Sequence, residues 1–247
     1  MTHSIPPLRL LALAASLLVT SLHAQTLKVV AEASSYVVLK DGKVAGPASE
    51  IVEASLQHAG LTDHRIGIYP WARAYDMALQ EPNVLIYLIA RTPARETQFK
   101  WAGEFMRIEY HLYKLRERQD VTVRKLEDAK RYSIGVMRDD VRQLYLKDQG
   151  FGRLITSSQN VDNFRKLLSG QVELVPMPES DAQAFCEQAG IPFAKIEKVL
   201  TLDALTTGIY MAYSKATPDE TVARTKAAFD KLKADGTVGR LMGSGKH

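Results

Sequence analysis

A single cysteine, Cys186, occurs in 247 residues, so no intramolecular disulfide can form and stability must come from a packed core. Histidine is also sparse. Beyond residue 24 only His58, His64, His111 and His247 remain, at no metal-ligand spacing. No Gly-x-Ser-x-Gly elbow, Gly-rich phosphate loop or local Cys–His signature is present, so the common hydrolytic and nucleotide-dependent chemistries leave no mark. No cofactor or metal is implied. Charge of one sign is lacking too: 32 basic residues stand against 28 acidic ones, a net of +4. They are interspersed without a basic stripe, which argues against nucleic acid as a partner.

Long apolar runs are confined to the N-terminus. Arg9 precedes the run Leu10 to Val19, and Ser21-Leu22-His23-Ala24 offers a small residue before Gln25, the pattern of an export signal over residues 1–24. No cysteine stands directly after this segment to carry a lipid anchor, so a soluble periplasmic protein is expected. The 46% hydrophobic content is ample for a core of one or two globular domains.

The remaining pattern is an α/β alternation. Leu27 to Ala31 reads as a strand, followed by the polar loop Glu32 to Tyr36 and a turn at Asp41-Gly42. A helix is expected from about Ser49 to Gly60, a strand over Arg65–Tyr69, a helix over Trp71–Gln80 and a buried strand over Val84–Ala90, an order that implies a parallel sheet. After that strand, Thr92 is placed to cap a helix with Pro93 at its first position, which would direct free N–H groups and Arg95 at an anion. Residues 105–114 form an extended aromatic segment leading to a second lobe, where the alternation restarts. Helices are expected near 125–130 and over 139–148, 161–168 and 178–189; strands over 132–137, 154–157, 172–175, 195–200 and 206–214. Thr217, Pro218 and Glu220 read as a capping box opening a last long helix that Gly236 ends. Cys186 reads as a buried thiol on a helix face.

Several local pieces then resemble one family. They are Asp41-Gly42-Lys43-Val44-Ala45-Gly46, Pro70-Trp71, Arg91-Thr92-Pro93-Ala94-Arg95-Glu96, Leu126-Glu127-Asp128-Ala129 before Gly135-Val136, and Gly170-Gln171-Val172-Glu173. In this order they resemble the bacterial extracellular solute-binding proteins of the amino-acid-binding type, family 3. The resemblance implies an α/β fold of two lobes, the type II periplasmic binding fold, with a cleft between them. One lobe would comprise residues 25–110 and 205–247 and the other 111–204. It also implies a monomer that captures a small-molecule ligand and presents it to an ABC permease.

By the same resemblance Arg95 holds the ligand carboxylate, Tyr36 and Trp71 pack on the ligand, and a second-lobe acid takes its amino group. Ala90 and Thr92 flank Arg95, while Arg138, Asp140 and Glu179 are the second-lobe candidates. Each also has an ordinary role: Thr92 as a cap, Trp71 as core, Arg138 and the two acids as a charged helix start. The sequence departs from the family at Leu88 and Ala90, where hydroxyl residues are usual. Departures also fall at Met137-Arg138-Asp139-Asp140 and at Pro176-Met177-Pro178-Glu179. Binding of a small acidic group is therefore better supported than binding of an amino acid. Two other classes stay open: a dehydratase-like enzyme using Glu32, Glu179 or His111 as acid or base, and a ligand sensor for a receptor.

Overall fold

The computed structural model describes residues 26–244; the export segment expected over residues 1–24 lies outside them. Two five-stranded layers carry the molecule. In chain order the elements begin with β1 (Leu27–Ala31), β2 (Val38–Lys40), β3 (Lys43–Ala45), α1 (Pro47–His58), β4 (His64–Ile68), α2 (Trp71–Gln80) and β5 (Val84–Ala90). After a single 3-10 turn at Pro93–Arg95 come β6 (Phe99–Ile108) and β7 (His111–Leu115). The second lobe continues with β8 (Ile134–Met137), α3 (Val141–Asp148), β9 (Leu154–Ser157), α4 (Asn160–Leu168), β10 (Val175–Met177), α5 (Glu179–Gln188) and β11 (Ile196–Thr201). Then β12 (Thr207–Ser214), α6 (Asp219–Ala234) and α7 (Thr237–Ser244) return to the first lobe.

The first sheet has the order β4-β1-β5-β12-β6. In the second lobe β9 pairs with β8, and β10-β7-β11 form a three-stranded sheet. A parallel bridge from Ile134 to Leu174 and the bond from Gly135 N–H to the Leu174 carbonyl join them. The resulting order, β9-β8-β10-β7-β11, repeats that of the first lobe. In both lobes the fourth strand runs antiparallel to its neighbours, because it arrives from the other lobe. The chain therefore crosses twice, at residues 109–110 and 202–206.

Hydrophobic patterning explains the layers. Val84 to Ala90 is apolar throughout and sits between α2 and the α1/α6 side, with only Leu88 partly exposed, as a strand covered on both faces requires. Phe229 on α6 is fully buried and its ring lies against Gly103, a contact that stabilises by roughly 1.5–3 kcal/mol through burial. Among the described residues no helix is long and apolar enough to cross a membrane.

Two expectations are corrected. The helix expected after Thr92 is only the three-residue 3-10 turn, and β6 starts at Phe99. The buried side chains Phe99, Ala102 and Phe105 mimic helical spacing because two irregularities in the β12–β6 pairing rephase the strand's alternation. At α6 the N-cap is Pro218, with no side-chain cap bond; the Thr217 hydroxyl is buried and bonded to Ser214 Oγ at 2.8 Å. Gly236 follows the end of α6 as expected, and α7 comes after it and buries Val238 and Met242 in the first-lobe core.

Gly46 positions one wall of the cleft. Its φ is 106°, and a Cβ there would lie 2.6 Å from the Tyr36 carbonyl oxygen. Gly46→Ala is therefore expected to cost about 1–3 kcal/mol and to shift the loop carrying Tyr36. Urea denaturation checks this; an unchanged midpoint would refute it.

Candidate functional site

The carboxyl ends of β1 and β5 face those of β8 and β10, and a cavity of about 90 Å³ lies between the lobes. Open α/β sheets present ligand-binding loops at such ends. From the first lobe the wall is built by Glu32, Tyr36, Trp71, Leu88, Ala90 and Arg95. Asp140, Arg142, Asn160, Ser180 and Asp181 face them from the second, with Tyr110 at the crossing.

Leu88 reaches the cavity through backbone strain. It adopts φ 59° at the irregularity where Tyr210 pairs with Ile89 but Met211 pairs with Tyr87, so it is the extra residue of a bulge. A left-handed leucine costs roughly 1–2 kcal/mol, and strain of this kind gathers at functional positions.

Arg95 is buried at 3% exposure. Its guanidinium lies 5.2 Å from the Trp71 ring centre and 4.8 Å from that of Tyr75, and Nη1 donates to the Ala90 carbonyl at 3.3 Å. Nη2 is buried with no hydrogen-bond partner. A buried charged donor without an acceptor is costly, so the place calls for an anion.

Arg142 is the second buried guanidinium. It pairs with Asp140 through Nε, donates from Nη1 to the Pro176 carbonyl at 3.1 Å, and covers the Tyr110 ring at 5.1 Å. Asp140 also caps α3 by accepting the Arg142 backbone N–H at 2.9 Å. Burial alone would lower the Arg142 pKa, but Asp140, Tyr110 and Glu32 hold it above its ordinary value. Burial raises the Asp181 pKa, with Ser35 and Arg142 opposing.

Several bonds cross between the lobes in this closed arrangement. Ser35 Oγ donates to Asp181 Oδ1 at 2.9 Å, and Trp71 Nε1 donates to the Asp139 carbonyl at 3.1 Å. Asp139 has φ 58°, a conformation Asp tolerates better than most residues.

No family model and no curated protein matches the chain by sequence. Solved structures do match in shape. A histidine kinase sensor domain with similarity to periplasmic binding proteins superposes with a TM-score of 0.79 at 17% identity, over 89% of this chain and 95% of that one. An amino acid ABC transporter substrate-binding protein from Streptococcus pneumoniae, bound to L-arginine, gives 0.76 at 17% identity over 89% and 94%. The arginine-, lysine-, histidine-binding protein ArtJ from Geobacillus stearothermophilus gives 0.75 at 18% over 88% and 94%. The chain has the two-lobed periplasmic-binding fold.

Within that fold the expected residues separate. Tyr36, Trp71, Ala90, Arg95 and Asp140 line the interlobe cavity. Thr92 does not: it is half-buried and precedes the 3-10 turn without a side-chain cap bond, so the row of N–H groups expected there is absent. Arg138 is exposed and outside the lining, its backbone N–H spent on the Ser157 carbonyl. Glu179 is also exposed, 3.6 Å from Lys198. Because α5 starts at Glu179 and each residue turns the helix by about 100°, Asp181 lies nearly opposite and takes the buried position instead. His111 is buried on β7 against the Thr201 hydroxyl, 3.0 Å away, and does not line the cavity. Glu32, expected there only as a general acid or base of an enzyme, does line it. Arg142 and Asp181 are not among the expected residues, and no local pattern separates Asp181 from Glu179 without the start of α5. Among the described residues no three His, Cys, Asp or Glu side chains are grouped to hold a metal.

Proposed function

We propose that the protein is a periplasmic solute-binding protein whose lobes close on a small carboxylate-bearing solute, an amino acid or a relative of one. The observation that carries this reading is the unpartnered, buried Nη2 of Arg95 in a cavity walled by both lobes. A ligand carboxylate would supply the missing acceptor and complete a bidentate fork. Acids lining the same cavity, Asp181 from the second lobe and Glu32 from the first, suit an ammonium group. A protein that closes, binds and releases its ligand unchanged fits these residues; export to the periplasm, a monomeric state and delivery to an ABC permease complete the proposal.

Thermal-shift screening against amino acids, organic acids and polyamines tests it. A ligand at a hundred times its Kd should raise the melting point by about 5–10 °C. No shift with any member would overturn the reading, and conversion of the ligand, followed by NMR, would replace it with an enzymatic one. The likeness to a sensor domain favours a second reading, in which ligand state is passed to a receptor. Loss of ligand uptake on deleting the gene would select transport; unimpaired uptake would select sensing.

A further inference from the structure

The cleft holds three carboxyl and two guanidinium groups, and they are unevenly matched. Arg142 is committed to Asp140, the Pro176 carbonyl and the Tyr110 ring. Asp181 accepts from Ser35. Arg95 is stacked on Trp71 and Tyr75. Besides the Arg95 Nη2 that the ligand carboxylate would meet, the unmatched atom of this set is a buried oxygen of Glu32, Oε1, which has no hydrogen-bond partner. The groups that face it are the Asn160 backbone at the start of α4, Arg142 on α3, Asp140 before α3 and Asp181 on α5. Its remaining exposed surface opens into the cleft and the groove outside it.

We propose, on the solute-binding reading above, that Glu32 decides which class of solute the cleft accepts. Ionised, it pairs with a cationic group of the ligand; protonated, it donates a hydrogen bond to a neutral carbonyl-bearing group. A cation seated against Oε1 gives the carboxylate the partner it lacks. A neutral ligand there would leave a charge buried and uncompensated, so the carboxyl must hold its proton when the lobes close. In the closed cleft without a cation, burial, opposed by Arg142, pushes the Glu32 pKa to about 8. A cation should return it to the ordinary carboxylate range.

The sign follows from linkage. The neutral complex holds one more proton than the cationic complex, so raising the pH favours the cation. Both complexes start from the same free protein, so their affinity ratio does not depend on how open that protein is.

L-arginine and L-citrulline are a suitable pair, nearly identical in shape but differing in charge. The arginine-to-citrulline affinity ratio of the wild-type protein, measured by calorimetry, is expected to rise by up to about tenfold per pH unit between about pH 5 and 8. In Glu32→Gln, which mimics the protonated acid, the ratio should fall and become independent of pH. A flat wild-type ratio with both ligands bound would overturn the proposal and leave solute binding standing. If the slope survives in Glu32→Gln, Asp181 is the titrating group and the assignment fails. If neither ligand binds but other solutes raise the melting point, the proposal fails alone; if nothing binds, both readings fall.

Discussion

Arg95→Ala should weaken binding of a carboxylate ligand by at least about a hundredfold. Each charge-assisted hydrogen bond contributes roughly 1.5–3 kcal/mol, and about 1.4 kcal/mol is a factor of ten in affinity, so losing a two-bond fork exceeds that threshold. The side chain is already oriented by the Trp71 and Tyr75 rings and the Ala90 carbonyl, so little ordering cost falls on the ligand. Arg95→Lys keeps the charge but not the planar fork and should recover only part of the affinity. Calorimetry with the ligand found by thermal shift decides the matter. Equal Kd values for wild type and Arg95→Ala, with circular dichroism unchanged, would move the site elsewhere.

Arg142→Met is expected to act on stability instead. It keeps the bulk of the side chain but leaves Asp140 buried without its partner and the Pro176 carbonyl without its donor. Breaking one side of a buried ion pair typically costs about 3–5 kcal/mol, a large share of a domain's roughly 5–15 kcal/mol. Pairing the change with Asp140→Asn should restore part of the loss, because the uncompensated charge is then removed. Arg142 also opposes the upward shift of Glu32 and Asp181, so without it both acids should bind protons more tightly in the folded state. Acids with raised folded pKa values lose stability as pH rises above their unfolded values. Because the wild-type Glu32 pKa already stands at about 8, the deficit of Arg142→Met should open as the pH passes that value and be wider near pH 9 than near pH 6. Urea denaturation at the two pH values checks this, and a deficit independent of pH would show that the acids do not sense Arg142.

Most of the fold was legible because its elements follow their own periodicity. Trp71–Gln80 and Val84–Ala90 coincide with the expected helix and strand, one patterned on a single face and the other apolar throughout. The failures occur where tertiary contacts override a local signal. The β6 strand is interrupted by irregular pairing, and Thr217 satisfies Ser214 rather than a helix end. In the site, Arg95 and Trp71 were readable because motif and strand end coincide. Asp181 and Glu179 could not be separated without knowing where α5 begins, since one residue of phase decides which acid is buried. The value of Glu32 depends on groups up to 149 positions away in the chain, Asp181 among them, and no local pattern encodes that encounter.

The bond from Trp71 to the Asp139 carbonyl has a practical consequence for optical work. The chain has only two tryptophans, and the other, Trp101, bonds within the first lobe to the Glu96 carbonyl and stacks with Arg91. Separation of the lobes would expose Trp71 to water and leave Trp101 where it is. Trp101→Phe would thus turn the protein into a single-emitter fluorescent gauge of its own closure, with no dye attached.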